Sequence, residues 1–470
     1  MEITLVGFII IPVSLYFFIK NKALPLLYIF VFLTPFVATT IMQKEGSQFG
    51  MQPSFFAAAL LIALTFLRMI KYPVIITRVQ FKFLWGIILF WLFSLISLNF
   101  PTFHLLLNTK TELINPLLTT VAYSSEYQDY TMTQFYYLTF FLLTSLAIMV
   151  HVDSYDKLIR VIQTLLMATL FTCLWGLLVR YPTFFLNRTY PDWIFNNHAG
   201  YAQGWDQNFI FIPRLSSVAP EPSMYGFFLT IVFALLLFMS SYKVYVFRKR
   251  YQNLLLLLVL LTSIVTTSST SYLGIFIVLS IFLALNVKAL RFLKINRRLF
   301  IVSRVSLYIA LIMFLLIQMA LIYVGIGFED ILSTLQNITI NKYQGGSGED
   351  RYQLFIRGIS IFVETLGIGT GSGTNRTVDL ISTMLANIGL LGMVSFLIMI
   401  GGPLLISFRF YRRRLNINYE FAILSLALTA SFSSAILLNI VAIPDFIFMY
   451  YWLIFGLLLS LPKIAQHSGR

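Results

Sequence analysis

Thirteen apolar stretches dominate this chain. They run at roughly 3–19, 23–42, 54–70, 83–99, 135–151, 158–179, 223–242, 253–268, 271–287, 304–326, 381–408, 420–438 and 442–461. A helix needs about 20 apolar residues to cross the hydrocarbon of a bilayer. Inside the bilayer every backbone polar group must be satisfied by the protein, so a segment of this length spans as a helix. The pattern therefore predicts an all-α, polytopic integral membrane protein with about 13 transmembrane helices, a single domain over residues 1–470. Charged residues make up 11% of the chain, against about 25% in soluble proteins. A water-soluble globule and a disordered chain are both excluded. The first stretch lacks a basic leader and runs through Lys20 and Lys22 directly into the next, so it reads as a retained helix rather than a signal peptide.

The formal net charge is +15. In a soluble protein that excess would point to nucleic acid; in a membrane protein it reports which side the loops face. Assigning the Lys20–Lys22 loop to the cytoplasm and alternating from there puts 24 of the 33 basic residues inside, with Asp153, Asp156 and Glu420. The inner side then carries net +21 and the outer side, with 9 basic and 15 acidic residues, net −6. The charge is an orientation signal, and no nucleic-acid partner follows from it. The N-terminus falls outside and the C-terminus inside. The inner loops are all short. The outer side holds three longer segments, about 100–134, 180–222 and 327–380, and long loops in a compact protein carry function or disorder. These are too rich in aromatic residues and arginine for disorder.

Three outer motifs stand out. Arg214-Leu-Ser-Ser-Val-Ala-Pro-Glu221-Pro222-Ser223-Met-Tyr-Gly226 leads into the seventh stretch. Pro222 and Ser223 suit a helix start. A well-capped membrane helix explains them but not Arg214 and Glu221, two ionisable residues at the membrane boundary, where charge is expensive. In the second motif, Gln353, Arg357, Ser360 and Glu364 mark one polar face of an amphipathic helix at about 351–365, lying at the interface. Arg351 falls off that stripe; Arg357 is equally explained as a headgroup-bound or solvated arginine. The third is Gly367-Ile-Gly369-Thr-Gly371-Ser-Gly373-Thr-Asn-Arg376, followed by Asn387-Ile-Gly389-Leu-Leu-Gly392. Alternating glycines form an anion-binding nest or an ordinary turn; the adjacent Arg376 favours a phosphate role.

The outer side has six arginines, Arg180, Arg188, Arg214, Arg351, Arg357 and Arg376, against three lysines. Arginine grips phosphate with a planar fork, although pairing with nearby acids explains the same residues. Tyr190, Trp193, Tyr201 and Trp205 suit either sugar stacking or an interfacial aromatic belt. Cys173 is the only cysteine, which removes disulfides and cysteine-based zinc sites. None of the four histidines has a metal-ligand partner at helical spacing. The reading carries no metal and no cofactor.

Taken in order, these motifs resemble the Wzy-type polysaccharide polymerases of bacterial O-antigens, capsules and exopolysaccharides. The resemblance rests on Arg214-x6-Glu221-Pro-Ser-x-x-Gly226, the Ser/Thr-rich Thr266–Gly274, the Arg351 segment, the glycine run at 367–371 and Gly389-Leu-Leu-Gly392. It covers roughly 210–400. The related O-antigen ligases carry a histidine shortly after the glycine run; here Thr377-Val378-Asp379-Leu380 has none, which favours the polymerase.

The resemblance implies a GT-C-like membrane glycosyltransferase in the bacterial cytoplasmic (inner) membrane. It would join undecaprenyl-pyrophosphate-linked oligosaccharide repeat units on the face toward the periplasm or exterior, with a chain-length regulator as a further compatible partner. Breaking a sugar–pyrophosphate bond develops negative charge that arginines stabilise without a metal. The expected catalytic residues are Glu221, as base or positioning acceptor, with Arg214 and Arg351. The expected pyrophosphate contacts are Arg214, Arg351, Arg376, Arg357, Ser223, Gly369 and Gly371. Two other activities fit the same residues less well: a ligase, which shares the donor, and a transporter or flippase, which would place ionisable residues in mid-span.

Overall fold

The computed structural model describes residues 2–43, 50–100, 113–114, 120–121, 125–180, 182–183, 186, 191, 193–197, 208–209, 212–291, 346–442 and 446–467. Within them the helices are α1 Leu5–Ile19, α2 Ala23–Leu33, α3 Pro53–Lys71, α4 Arg78–Ser97, α5 Ser125–His151, α6 Tyr155–Trp175, α7 Pro222–Ser241, α8 Lys249–Val265, α9 Ser269–Arg291, α10 Gly346–Glu364, α11 Leu380–Arg414, α12 Tyr419–Val441 and α13 Met449–His467. A π-type turn, Gly176–Arg180, extends α6. Small antiparallel ribbons are the other element: Glu2–Ile3, Met42–Gln43 and Gly50–Met51 pair in that order, as do Leu113–Ile114 with Thr120–Val121 and Asn208–Phe209 with Ile212–Pro213.

Eight of these helices are long and apolar enough to cross a membrane: α3 to α7, α9, α11 and α12. The protein is thus an all-α, membrane-embedded fold, but the thirteen expected spans are not all reproduced. The stretch 304–326 lies outside the described residues. The second expected span, 23–42, yields only the 11-residue α2, about 16 Å of helix at 1.5 Å per residue. Pro35 accounts for the stop, since proline lacks the N–H that would continue the helical hydrogen bonding beyond Thr34. Residues 34–41 then run as buried, non-helical chain. Such backbone is tolerated at membrane depth only where protein satisfies it. Here the Asn196 side chain accepts from Thr40 N at 2.7 Å, Asn197 Nδ2 donates to Val37 O at 2.9 Å, and Ala38 N donates to Val218 O at 2.9 Å. The last span also shifts, with α13 starting at Met449 rather than 442.

The centre of the bundle is α7, buried on nearly every side, against α12, α9 and α8. Lipid tails are as apolar as leucine, so helices associate in a bilayer through close packing rather than through escape from water. Gly226 and Gly274 supply that closeness. A Cβ on Gly226 would lie 2.8 Å from Ser271 Cβ, and one on Gly274 would lie 2.0 Å from Thr230 Oγ1. Ser431 Oγ of α12 donates to Ile231 O of α7 at 3.0 Å, and Tyr450 Oη of α13 donates to Met224 O at 3.2 Å.

Contacts between connections sort the bundle into two ends. At one, Thr4 meets Thr40 and Ile41, Thr39 meets Ile194, and Ser97 meets Ser372. At the other, Arg68 meets Asn21, Tyr155 meets Glu420, Gln163 meets Val246, Tyr419 meets Tyr242, and Arg414 meets Ala465. The same connections share an end in the charge pattern, and the first end is the one that pattern assigns to the outside.

Candidate functional site

At the outer end Glu221 occupies the N-cap position of α7, with Pro222 in the first turn. The expectation that Ser223 caps the helix is corrected: its hydroxyl donates to Glu221 Oε2 at 3.0 Å. The serine thus orients the carboxylate rather than a backbone N–H. Arg214, Glu221 and Ser223 are all half-buried. Burial lowers the Arg214 pKa, while the negative charge of Glu221 opposes that shift and the uncharged Tyr272 phenol lies within electrostatic range. A guanidinium remains charged through such a balance. The three side chains therefore make one electrostatic group, built from the segment before α7 and the start of α9.

The backbone on both segments is held in an unfavourable region. Ser217 has φ 51° and Thr267 φ 46°, which costs a non-glycine residue about 1–2 kcal/mol. Ser217 is fixed by donating to Thr172 O at 2.6 Å, and Thr266 Oγ1 donates to Ser263 O at 2.7 Å. Tyr272 Oη donates to Ile264 O at 3.0 Å, pinning the α8–α9 turn beside Arg214. Such strain persists where surrounding structure over-determines it, and it clusters at functional sites.

The second group of expected site residues lies on α10, the glycine segment and the start of α11. The helix runs over Gly346–Glu364, starting earlier than the expected 351. Gly358, Ile361 and Thr365 face α11, where Gly358 has Thr377 and Ser382 as neighbours. Tyr352, Phe355, Ile356, Val363 and Leu366 stay exposed on the opposite side. Arg357 pairs with Glu364 at 3.5 Å, and Ser360 donates to the same carboxylate. Arg351 and Arg376 are exposed.

The glycines serve a different purpose from the expected nest. Gly367, Gly369, Gly371 and Gly373 have φ of 81°, 85°, 119° and 81°. Their segment wraps a break in α11 at Gly389, where φ is 67° and ψ −167°. Gly369 N donates to Thr365 Oγ1 at 3.0 Å, Thr370 N to Ala386 O at 2.8 Å, Gly371 N to Asn387 O at 2.7 Å, and Leu390 N to Gly367 O at 3.0 Å. The N–H groups of Gly369 and Gly371 are thus directed into the fold rather than toward an anion. Asn387 organises the segment: Oδ1 accepts from Asn375 N at 2.9 Å, and Nδ2 donates to Asn375 O at 2.8 Å. Asp379 caps α11 by accepting from Ser382 N at 2.9 Å.

Sequence reasoning missed Tyr272 and Asn439. Tyr272 stood inside the quoted Ser/Thr-rich motif, but nothing in its spacing linked it to Arg214. Asn439 is fully buried in α12, and neither amide atom has a hydrogen-bond partner among the described residues. Counting eight residues either way from the Ser431–Ile231 contact, about 12 Å along each antiparallel helix, places it level with Ser223. Its signal was an amide near the end of an apolar stretch. Of the outer aromatics, Trp193 packs edge-on against Trp175 with centroids 5.6 Å apart; Tyr190, Tyr201, Trp205 and Arg188 lie outside the described residues. Arg180 is buried at the end of the π-type turn. Compared with known proteins, the chain matches no family model and no curated sequence.

Proposed function

We propose that this protein is a glycan polymerase of the Wzy type, joining lipid-linked oligosaccharide repeat units at the outer end of the bundle. The observation that carries the reading is Arg214 held half-buried within the electrostatic reach of Glu221, itself oriented by Ser223. In the proposed step the acceptor hydroxyl oxygen attacks the anomeric carbon of the donor sugar. The bond from that carbon to the pyrophosphate oxygen breaks, and undecaprenyl pyrophosphate leaves with the electron pair. Arg214 stabilises the charge developing on the leaving oxygen. Glu221 accepts the hydroxyl proton and passes it to water. Arg351 and Arg376, exposed on their own segment, contact the pyrophosphate from outside. Arg357, tied to Glu364, supports α10. The scheme assigns no metal or cofactor a role.

The test is a deletion strain complemented with Arg214→Ala or Glu221→Gln. Glycan length and the pool of single lipid-linked units are read on a gel. The reading predicts single units in place of long chains, at wild-type levels of the variant in the membrane. Long chains that persist on the carrier in the deletion strain overturn the polymerase. Loss only of their transfer to a final acceptor identifies a ligase instead.

A further inference from the structure

The opposite end of the bundle carries a cavity that the proposed chemistry does not use. It has a volume of about 280 Å³, room for several waters at about 30 Å³ each. Arg68 of α3, His151 at the end of α5 and Lys463 of α13 converge on it. Arg68 Nε donates to Asn21 Oδ1 at 2.7 Å, and a second guanidinium nitrogen donates to Asn21 O. Those bonds fix the guanidinium, which has five N–H donors in all. Thr65 Oγ1 lies 2.7 Å from Leu61 O and 2.9 Å from His151 Nε2. A hydroxyl has one proton; given to Leu61 O, it leaves the oxygen to accept from His151 Nε2–H. The ring is held in place at the cavity wall.

The charge here is unbalanced. Among the described residues no carboxylate lies within ion-pair distance of Arg68 or Lys463; Asp153 pairs with Lys157 at 2.6 Å, and Glu420 accepts from Tyr155. Cations at a membrane boundary are stable only with water or an anionic partner. The rim is apolar: Met69, Tyr72 and Ile75 line the cavity and are exposed. A cationic pocket edged by exposed apolar side chains matches a ligand with a phosphate at one end and hydrocarbon at the other.

We infer that this cavity, between α3, α5 and α13 at the basic end of the bundle, binds a phosphate group carried by an acidic membrane phospholipid. Arg68 and Lys463 hold the phosphate, and the Tyr72–Ile75 rim lies along the acyl chains. The inference stands independently of the polymerase reading. Basic pockets between membrane helices on the cytoplasmic side are suited to acidic headgroups, and the sequence assigns this end to that side.

The test uses the purified full chain in detergent, titrated with phosphatidylglycerol or phosphatidylcholine and read by native mass spectrometry. Phosphatidylglycerol should bind at least tenfold more tightly than phosphatidylcholine, and the preference should vanish in an Arg68→Gln, Lys463→Gln double variant. Lys71→Gln, a change of exposed charge on the same helix end, should keep it. Size-exclusion profiles confirm that each variant is folded. An equal preference in the double variant, or an equal loss in Lys71→Gln, overturns the site. A further arm adds inorganic phosphate: displacement of the lipid by equimolar phosphate overturns the lipid as the source, and its failure to displace supports the lipid.

Discussion

The outer end of the molecule contains two groups built from the same residue types, and they differ in what surrounds them. Arg214 and Glu221 sit half-buried where the central helix α7 begins, with Ser223 on the carboxylate and Tyr272 beside the guanidinium. Arg351 and Arg376 are exposed, and the segment between them spends N–H groups inside the fold, Gly369 on Thr365 Oγ1 and Thr370 and Gly371 on carbonyls at the break in α11. In low dielectric a charge acts strongly on a neighbour; in water it is screened. The comparison teaches that an arginine next to a glycine run is not by itself a phosphate site. Backbone donors must be open, and the cation must be partly shielded from solvent.

Six variants bear on that contrast. The largest effect is expected at Gly389→Val. Its φ is 67°, and a Cβ would lie 2.3 Å from Gly367 O and Ile368 O, backbone atoms that cannot swing aside as a flexible side chain would. Folded protein should be absent on size-exclusion chromatography after detergent extraction; a normal elution profile would show that the glycine segment is not structural. Next come Arg214→Ala and Glu221→Gln, which should fold normally and reduce chain elongation by about 100-fold or more, the scale of losing one preorganised electrostatic group. Asn387→Ala removes the hydrogen bonds to Asn375 and leaves buried backbone groups unsatisfied, at about 1–3 kcal/mol. A melting temperature lowered by several degrees, with activity per folded molecule unchanged, is the expected outcome. The smallest effect is expected at Arg351→Ala and Arg376→Ala, each less than about tenfold on elongation, as suits exposed charges. If these two match Arg214→Ala, the ranking of the two groups is reversed.

Much of this architecture is written in the local sequence. Apolar length fixes where α3, α4, α6, α7 and α12 run, and alternating loop charge fixes which connections share an end. Periodicity identifies α10 through Arg357, Ser360 and Glu364. What local pattern does not carry is the non-local satisfaction of backbone groups. Residues 34–41 read as apolar and therefore as helix, but Pro35 ends α2, and Asn196 and Asn197, 156 and 160 residues from their partners, complete the hydrogen bonding. The glycine run reads as a nest because nothing nearby in sequence shows that Ala386 and Asn387 carbonyls occupy its donors. Tyr272 joins Arg214 only because Gly226 and Gly274 bring α7 and α9 into contact.

The most direct test of the Arg214–Glu221 assignment is elongation by purified protein. Lipid-linked single units that accumulate in the deletion strain are extracted and incubated with wild-type, Glu221→Gln or Arg351→Gln protein in nanodiscs, and chain length is followed on a gel over time. The account predicts a ladder with the wild type, a somewhat slower ladder with Arg351→Gln and none with Glu221→Gln. A ladder from Glu221→Gln at the wild-type rate would contradict it.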